Sequence, residues 1–501
     1  MLVITTNQND FETDIYSLVK AFYPAEEVKI YLGEEAGREE TSSQAGLPDI
    51  NIHFLDNRIL LMIYSGESEP KAAGIDIDKT ESRLEVKNAL KQLLYCCLSD
   101  HTNISLPWGA LTGIRPVKIP MNLLTLGWAE EEIIRHMFDV YFCSAQKAHL
   151  ALDIAKKERA VLAGIDLHDS YSLYISVPFC PTTCLYCSFT SYPITKFKDM
   201  ADAYLLALYK EIDFIADLYQ SKRLLTIYIG GGTPTTLTAS ALEALLKKIT
   251  ASFNLNHLQE FTVEAGRPDS FDREKLVIMK KYHVNRISIN PQSMNEKTLK
   301  LIGRNHTVQQ VYDAFQLARE LGFTNINMDI ILGLPNETIV EVKKTLDKIS
   351  ELQPDSLTVH SLAIKRAAKL TEWVNDNGIT TLNNTAEIMQ AATECALALG
   401  MSPYYLYRQK NIAGNLENVG YAQTGKEGLY NILMMEEVQT IAALGAGSIS
   451  KRVYEAGHAN YGNIKRSDNL KEVDQYINRI DEMIEKRRDF LSRHDTPAKK
   501  I

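Results

Sequence analysis

The stretch ISVPFCPTTCLYCSFTSYP, residues Ile175 to Pro193, sets Cys180, Cys184 and Cys187 in a CxxxCxxC array inside an aromatic segment flanked by prolines. The whole chain has seven cysteines in 501 residues, so this concentration points to chemistry. A structural zinc site normally takes four ligands, often as two paired knuckles, and no second CxxC or HxxxH lies nearby. Thiol redox chemistry uses a CxxC pair that opens a helix; Cys184 and Cys187 match that pattern but leave Cys180 without a role. Three closely spaced thiolates suit an iron-sulfur cluster whose fourth iron is left open for another ligand.

Outward from the array, short apolar runs alternate with amphipathic helical stretches. The runs are YSLYISV (171–177), LLTIYIGG (224–231), EFTVEA (260–265), VNRISIN (284–290), INMDIILG (326–333) and DSLTVHSLA (355–363). Strands apolar on both faces, each followed by a helix, predict a parallel sheet with right-handed crossovers. Six such units make an α/β fold, a partial (β/α)6 TIM-like barrel, over residues 166–375. Functional residues are then expected where the strands end and the βα loops converge.

Residues 1–165 mix short strands (NIHFLDN, RILLMIYSG) with helices (LEVKNALKQLLYCCLSD), predicting a small N-terminal α+β domain. LPWGALTGIRPVKIP (106–120), with Trp108 and Arg115, reads as a connecting loop. Residues 376–501 form a C-terminal accessory region: KEGLYNILMMEEVQTIAALGAGSISK reads as a hairpin and Gly-rich turn, and NLKEVDQYINRIDEMIEKRRDFL as one long amphipathic helix. Cys96, Cys97, Cys143 and Cys395 are expected as buried thiols in apolar helices.

A hydrophobic content of 45% with 23% charged residues is that of a soluble globular protein, and no run approaches the roughly 18 apolar residues of a membrane helix. The opening MLVITTNQND turns polar at once, so no secretory signal is expected and the cytoplasm is the predicted location. A formal charge of -9 argues against nucleic acid as a partner. The basic run EKRRDF shares its helix with Asp481, Glu482 and Glu485 and reads as a solvated face.

Polar residues gather at the predicted strand ends. YIGGGTPTTL brings Gly231, Gly232 and Thr233 to the end of the second strand, where glycine lets backbone approach a ligand. Glu264 closes the third strand, Gln292 the fourth, Asp329 lies in the fifth, and Arg304 follows on a connection. His360 ends the sixth, where the alternatives are a side chain facing the mouth and a satisfied core histidine, the latter being the favoured reading. Barrel geometry aims the strand-end residues at one mouth, where a carboxylate can bind ribose hydroxyls and an arginine can pair with a carboxylate.

The cysteine array after the first strand resembles the signature of the radical S-adenosylmethionine (SAM) superfamily. YISVPFCPTTCLYC, GGGTPT, RISINPQSMNEKTLKLIGRNHT and NMDIILGLP narrow it to the oxygen-independent coproporphyrinogen III oxidase family and its relatives, the radical SAM heme chaperones. The long N-terminal region is similar to a Z-type, dehydrogenase-like subgroup. The resemblance implies a 4Fe-4S cluster on Cys180, Cys184 and Cys187, with SAM chelating the open iron. It places Tyr174, Gly231, Glu264 and Ile449 near that SAM. Tyr186, Gly232, Thr233, Gln292, Arg304, Asp329 and Ala363 fall near a second SAM site.

Two positions depart from the oxidase pattern: Phe189 stands where a fourth cysteine would complete CxxxCxxCxC, and Ser176 where the family commonly has His. The chaperone's His-Asn-x-x-Tyr-Trp motif is also missing, since YRQKNIAGNLENVGYA has no His. The resemblance implies an oxidoreductase that converts coproporphyrinogen propionates to vinyl groups in heme biosynthesis. The alternatives are a chaperone delivering heme to clients, or a radical enzyme with an unrelated substrate. Expected partners are a tetrapyrrole substrate or heme, and a one-electron donor such as flavodoxin or ferredoxin. Arg304, Arg366 and Arg408 are candidate partners for substrate carboxylates.

Overall fold

The computed structural model describes residues 1–33, 49–64, 69–78, 80–189, 191–365, 368–378, 382–409, 412–454 and 463–492. The chain divides into two compact units, Met1–Lys156 with Leu406–Glu417, and Lys157–Tyr405 with Asn418–Ile501.

In the first unit, β1 (Leu2–Thr6), β2 (Val28–Leu32), β3 (Asp49–Phe54), β4 (Arg58–Tyr64) and β5 (Lys71–Asp76) form a sheet of order β2-β1-β3-β4-β5. The β2-β1-β3 part is parallel and the β3-β4-β5 part antiparallel. Alternation in DINIHF and RILLMIY turns Ile50, Ile52, Ile59, Leu61 and Ile63 into a core closed by helices Glu12–Phe22 and Arg83–Thr102. The second helix starts on a capping box between Ser82 and Glu85.

The segment read as a connecting loop is instead an anchor of this unit. Trp108 is fully buried and donates its Nε1–H to Glu417 Oε2 at 2.7 Å, while Lys147 Nζ reaches Glu417 Oε1 at 2.5 Å. Gly109 has φ +54°, and a Cβ there would lie 2.0 Å from the Tyr141 carbonyl oxygen, so only glycine fits. Arg408 is buried in the same unit, donating to Leu111 O and to Asn415, so it is no free partner for a substrate carboxylate. Arg366 lies outside the described residues.

The second unit carries the expected parallel strands: β6 (Ser170–Val177), then, past the short β7 (Phe179–Cys180) and β8 (Tyr192–Pro193), β9 (Arg223–Gly231), β10 (Glu260–Gly266), β11 (Arg286–Ile289), β12 (Ile326–Leu332) and β13 (Ser356–Ser361). β14 (Ser402–Tyr407), β15 (Asn418–Ala422), β16 (Thr440–Leu444), β17 (Ile449–Val453) and β18 (Ile464–Asp468) extend the sheet to the order β14-β15-β13-β12-β11-β10-β9-β6-β16-β17-β18. The six strands from β6 to β13 pair in parallel, the architecture of a partial (β/α)6 barrel. Crossover helices start at residues that satisfy their first N–H groups: Thr238, Asp272, and the capping boxes Thr307/Gln310 and Thr338/Glu341.

Four expectations need correction: the two-sided apolar strands, the accessory hairpin, the single C-terminal helix and the burial of Cys96. The barrel strands are apolar on the face beneath the helices, with Leu173, Ile227, Val263, Ile287, Met328 and Val359 buried, but polar on the other. That face holds Ser172, Thr226, Thr262, Ser288, Asn327 and Thr358, hydrogen-bonded across strands as in Thr226 Oγ1 to Ser172 Oγ at 2.7 Å and Thr358 Oγ1 to Asn327 Oδ1 at 3.2 Å. In the accessory region, Leu429–Glu436 is a helix, and the hairpin is β16–β17, with β16 also lying parallel to β6. The C-terminal helix is two, Val473–Asn478 and Ile480–Ser492, broken at Arg479. Cys143 is buried as expected, Cys97 and Cys395 partly so, and Cys96 is exposed.

Candidate active site

The cysteine array occupies the loop that leaves β6. Its ends are pinched together, because β7 pairs in parallel with β8 through Phe179 opposite Tyr192 and Cys180 opposite Pro193. Inside this noose, the Cys187 N–H bonds the Cys184 carbonyl at 3.2 Å and the Leu185 N–H bonds the Ile302 carbonyl at 3.0 Å. Thr182 Oγ1 donates to the Gly303 carbonyl at 2.9 Å and accepts from Arg267 Nη1 at 2.5 Å. Asp269 holds Arg267 by two further bonds, at 2.9 and 2.6 Å.

The glycine run at the end of β9 lies against the start of this loop. The Gly232 N–H reaches the Val177 carbonyl at 2.8 Å and the Thr233 N–H the Phe179 carbonyl at 2.7 Å. Thr233 Oγ1 donates to Cys180 Sγ at 3.6 Å. A Cβ at Gly232 would stand 2.6 Å from the Phe179 oxygen and 2.8 Å from that of Val177, and Gly231 has φ +99°. Side chains are thereby excluded where the two loops meet, leaving bare backbone.

Among the described residues no three His, Cys, Asp or Glu side chains form a ready-made metal-binding group. The three thiols nevertheless lie within electrostatic reach of one another. Burial, the largest influence, pushes Cys180 up to about 12; the Thr233 hydrogen bond works against it and the other two thiols add to it. Cys187 is also raised by burial. Buried thiols of this kind ionise when a metal supplies the opposing charge. Three thiols on one eight-residue loop, beside a glycine-lined backbone edge, fit a cluster with one open corner and a small ligand at that corner.

The remaining strand-end residues line the mouth. Glu264 keeps some accessible surface and accepts a hydrogen bond from Tyr228 Oη at 2.5 Å. Burial raises its carboxyl to about 7, moderated by that bond and by His360, with Asp329 adding to the rise. Asp329 moves the other way. Burial works against its charge, but hydrogen bonds from His360, Asn327 and Thr358 hold it below the usual carboxylate range. Two neighbouring carboxyls are thus driven apart in acidity by their surroundings. His360 Nε2 stands 3.7 Å from Asp329 Oδ2, so it faces the mouth rather than the core.

Arg304 is buried and reaches Tyr186 Oη at 3.0 Å and the carbonyls of Gly266 and Asn290 at 3.2 and 2.6 Å. It therefore ties the cysteine loop to the ends of β10 and β11. Gln292 takes a left-handed φ of 65°, and its Oε1 is one of a set of buried atoms without a protein partner, with Ser288 Oγ, Asn290 Oδ1 and Arg304 Nε. Buried polar atoms of this kind call for a partner, and at a strand-end mouth water or a polar ligand can supply it. Tyr174, on β6, stacks on Tyr228 and Tyr430. Ala363 is buried just past β13, and Ile449 opens β17 with 46% of its surface exposed. Ser176 is buried, its hydroxyl donating to the Ala446 carbonyl at 2.9 Å.

Several participants escaped the sequence reading: Tyr228, Tyr430, Arg267, Asp269, and Glu211 beneath the Gly445 turn. The alternation Ser172-Tyr174-Ser176, Thr226-Tyr228-Gly230 and Glu260-Thr262-Glu264 was the available signal, since it puts Tyr228 on the same face as Glu264.

Residues 174–349 match the radical SAM superfamily model. The chain is 38% identical over 429 residues, 85% of each chain, to the oxygen-independent coproporphyrinogen-III oxidase-like protein HemZ of Bacillus subtilis (strain 168). It is 40% identical over 194 residues to the heme chaperone HemW of Lactococcus lactis, covering 39% of this chain and 49% of that one. Among solved structures, the coproporphyrinogen III oxidase HemN of Escherichia coli superposes with a TM-score of 0.51 at 23% identity, over 65% of this chain and 73% of that one. No described helix is long and apolar enough to cross a membrane.

Proposed function

The chain belongs to the oxygen-independent coproporphyrinogen III oxidase-like family of radical SAM proteins, and from that premise we propose that it oxidatively decarboxylates propionate side chains of a coproporphyrinogen-type tetrapyrrole. The observation that carries this reading is the pinched Cys180–Cys184–Cys187 loop braced against the glycine run of the neighbouring strand.

The family's cofactors are a 4Fe-4S cluster and SAM, which together supply, on one-electron reduction, a radical able to abstract hydrogen. In this reading Cys180, Cys184 and Cys187 hold the cluster. Gly231, Gly232 and Thr233 offer backbone and hydroxyl to SAM, and Glu264 takes its ribose hydroxyls or ammonium. Gln292, Arg304, Asp329, Tyr186 and Ala363 line the further polar space, and Tyr174 and Ile449 its flanks. The reaction removes a hydrogen atom from the propionate chain, releases carbon dioxide and passes one electron to an external acceptor, leaving a vinyl group. A flavodoxin- or ferredoxin-type donor would supply the reducing electron.

Anaerobic incubation of reconstituted protein with reductant, SAM and coproporphyrinogen III is expected to give a product lighter by one or two carbon dioxides. Unchanged substrate beside stoichiometric heme binding would overturn this in favour of a heme carrier. That second reading has one observation of its own: Phe189, in place of a fourth cysteine, is 69% exposed with Lys365 Nζ 5.6 Å from its ring centre, an aromatic face beside a cation. A Cys184→Ala variant should lose the cluster, and normal iron and sulfide content in it would contradict the ligand assignment.

A further inference from the structure

We infer that Tyr228 is a positioning residue for SAM: its phenol fixes one oxygen of Glu264 and so presents the other to the cofactor. The inference rests on the proposed role of Glu264 in holding SAM. Tyr228 Oη donates to Oε1 at 2.5 Å, and Oε2 has no hydrogen-bond partner among the described residues. A carboxylate anchored by one oxygen meets its ligand in a single orientation and loses less freedom on binding.

The packing around Tyr228 holds its ring in place. Its ring is one of a stacked trio: it lies 4.6 Å and 26° from Tyr430 of helix Leu429–Glu436 and 6.1 Å and 21° from Tyr174 of β6, and those two are themselves 6.1 Å apart. The helix carrying Tyr430 is itself seated by Glu260, whose carboxylate accepts the Leu429 N–H at 2.6 Å and the Tyr430 N–H at 3.4 Å. Glu260 and Glu264 lie on one face of β10, so this strand both seats the helix that carries Tyr430 and supplies the carboxylate that Tyr228 holds. Gly230 completes the arrangement. A Cβ there would stand 2.9 Å from Glu264 Cδ and 2.9 Å from Tyr228 Cε1, so the first glycine of the run leaves room for the Tyr–Glu pair.

The charged and titratable groups around Glu264 are Tyr228 on β9, Tyr174 on β6, Asp329 on β12, His360 on β13 and Tyr430 on the accessory helix. Of these, Tyr228 and His360 favour the carboxylate, and Asp329 disfavours it. Removing the Tyr228 hydroxyl therefore makes Glu264 harder to ionise, and SAM binding that needs the carboxylate should begin to fall at a higher pH.

The test is SAM binding to cluster-reconstituted protein by equilibrium dialysis across pH 6 to 9, for wild type, Tyr228→Phe, Glu264→Asp and Glu264→Gln. Tyr228→Phe keeps the stacked ring and is expected to weaken binding roughly tenfold, the size of one hydrogen bond to a charged group. It should also move the pH midpoint upward relative to wild type, a comparison in which the titration of SAM itself cancels. Glu264→Asp, whose shorter carboxylate falls out of reach of Tyr228, should weaken binding similarly. Iron and sulfide content should stay at the wild-type level in all. Wild-type affinity and midpoint in Tyr228→Phe, with Glu264→Gln strongly weakened, would overturn the positioning role alone. Unchanged binding in Glu264→Gln would instead remove the premise about Glu264.

Discussion

Replacing Glu211 by Gln tests how the cysteine loop is held from beneath. Glu211 is fully buried on helix Ile194–Leu218 and accepts from the Gly445 N–H at 2.7 Å, Tyr476 Oη at 2.7 Å and Asn469 Nδ2 at 3.1 Å. It also pairs with Arg487 at 3.2 Å, whose exposure is 1%. The turn it grips bears on the end of β6: Tyr204 Oη donates to the Ser176 carbonyl at 2.6 Å and accepts the Ala446 N–H at 3.1 Å. The amide keeps the shape but strands the guanidinium, and breaking a buried pair from one side costs about 3–5 kcal/mol. Arg487 retains bonds to the Ala443 carbonyl and Ser448 Oγ, which places the expected loss at the low end. At about 1.4 kcal/mol per factor of ten, a loss of about 3 kcal/mol predicts roughly 100-fold faster amide exchange at Gly445 and Ala446. Hydrogen exchange read by mass spectrometry measures this directly. The companion Arg487→Met should make the pair of changes milder than the sum of the singles by at least about 1 kcal/mol. Less than tenfold acceleration, or simple additivity, would refute the reasoning.

Other outcomes follow from single contacts. Gly232→Ala must move the Phe179 carbonyl, at a cost of about 1–3 kcal/mol; reconstituted protein should hold less iron and bind SAM more weakly, whereas Gly113→Ala, at a site with open space, should do neither. Glu158 is 1% exposed and faces Glu436; burial first, then that neighbour, raises its carboxyl to about 10. The folded state therefore holds a proton that the unfolded chain releases near its ordinary value, so this group makes stability fall as pH rises from about 4.5 to about 10. Glu158→Gln should accordingly raise the Tm at pH 8 and flatten its decline between pH 6 and 9.5; a wild-type slope in thermal melts would contradict the assignment.

The barrel was legible because its code is local. Each apolar run is bounded by turn residues and followed by a helix whose cap is written a few positions away, as with Thr307 and Gln310. The cysteines and glycines were legible for a related reason: spacing along the chain sets their spacing in space when both sit on one loop or one strand end. The helix Leu429–Glu436 failed that test. Its N-cap, Gly428, has no side chain to offer, and the first amides are satisfied by Glu260, far back in sequence on β10. Nothing in KEGLYNILMMEEV announces a carboxylate waiting elsewhere, so a hairpin was the natural local reading.

The polar lining of the barrel was hidden differently. A period-two alternation of Ser, Thr and Tyr against Leu, Ile and Val is the pattern of a half-exposed strand, yet Ser172 and Thr226 are fully buried. What makes that tolerable is pairing across strands. Ser172 donates to Gln439 at 2.6 Å, Arg286 to Ser356 at 2.9 Å, and Ser356 to Asn327 at 3.1 Å, so most of the lining is satisfied before any ligand arrives. The exceptions, Ser288 Oγ, Asn290 Oδ1 and Gln292 Oε1, fall on β11 and the loop that leaves it. An unsatisfied buried polar atom costs about 1–3 kcal/mol, so three together at one strand end call for water or a ligand to pair with them. The site is thus set by where the cross-strand pairing stops, a property of six strands jointly that no one segment displays.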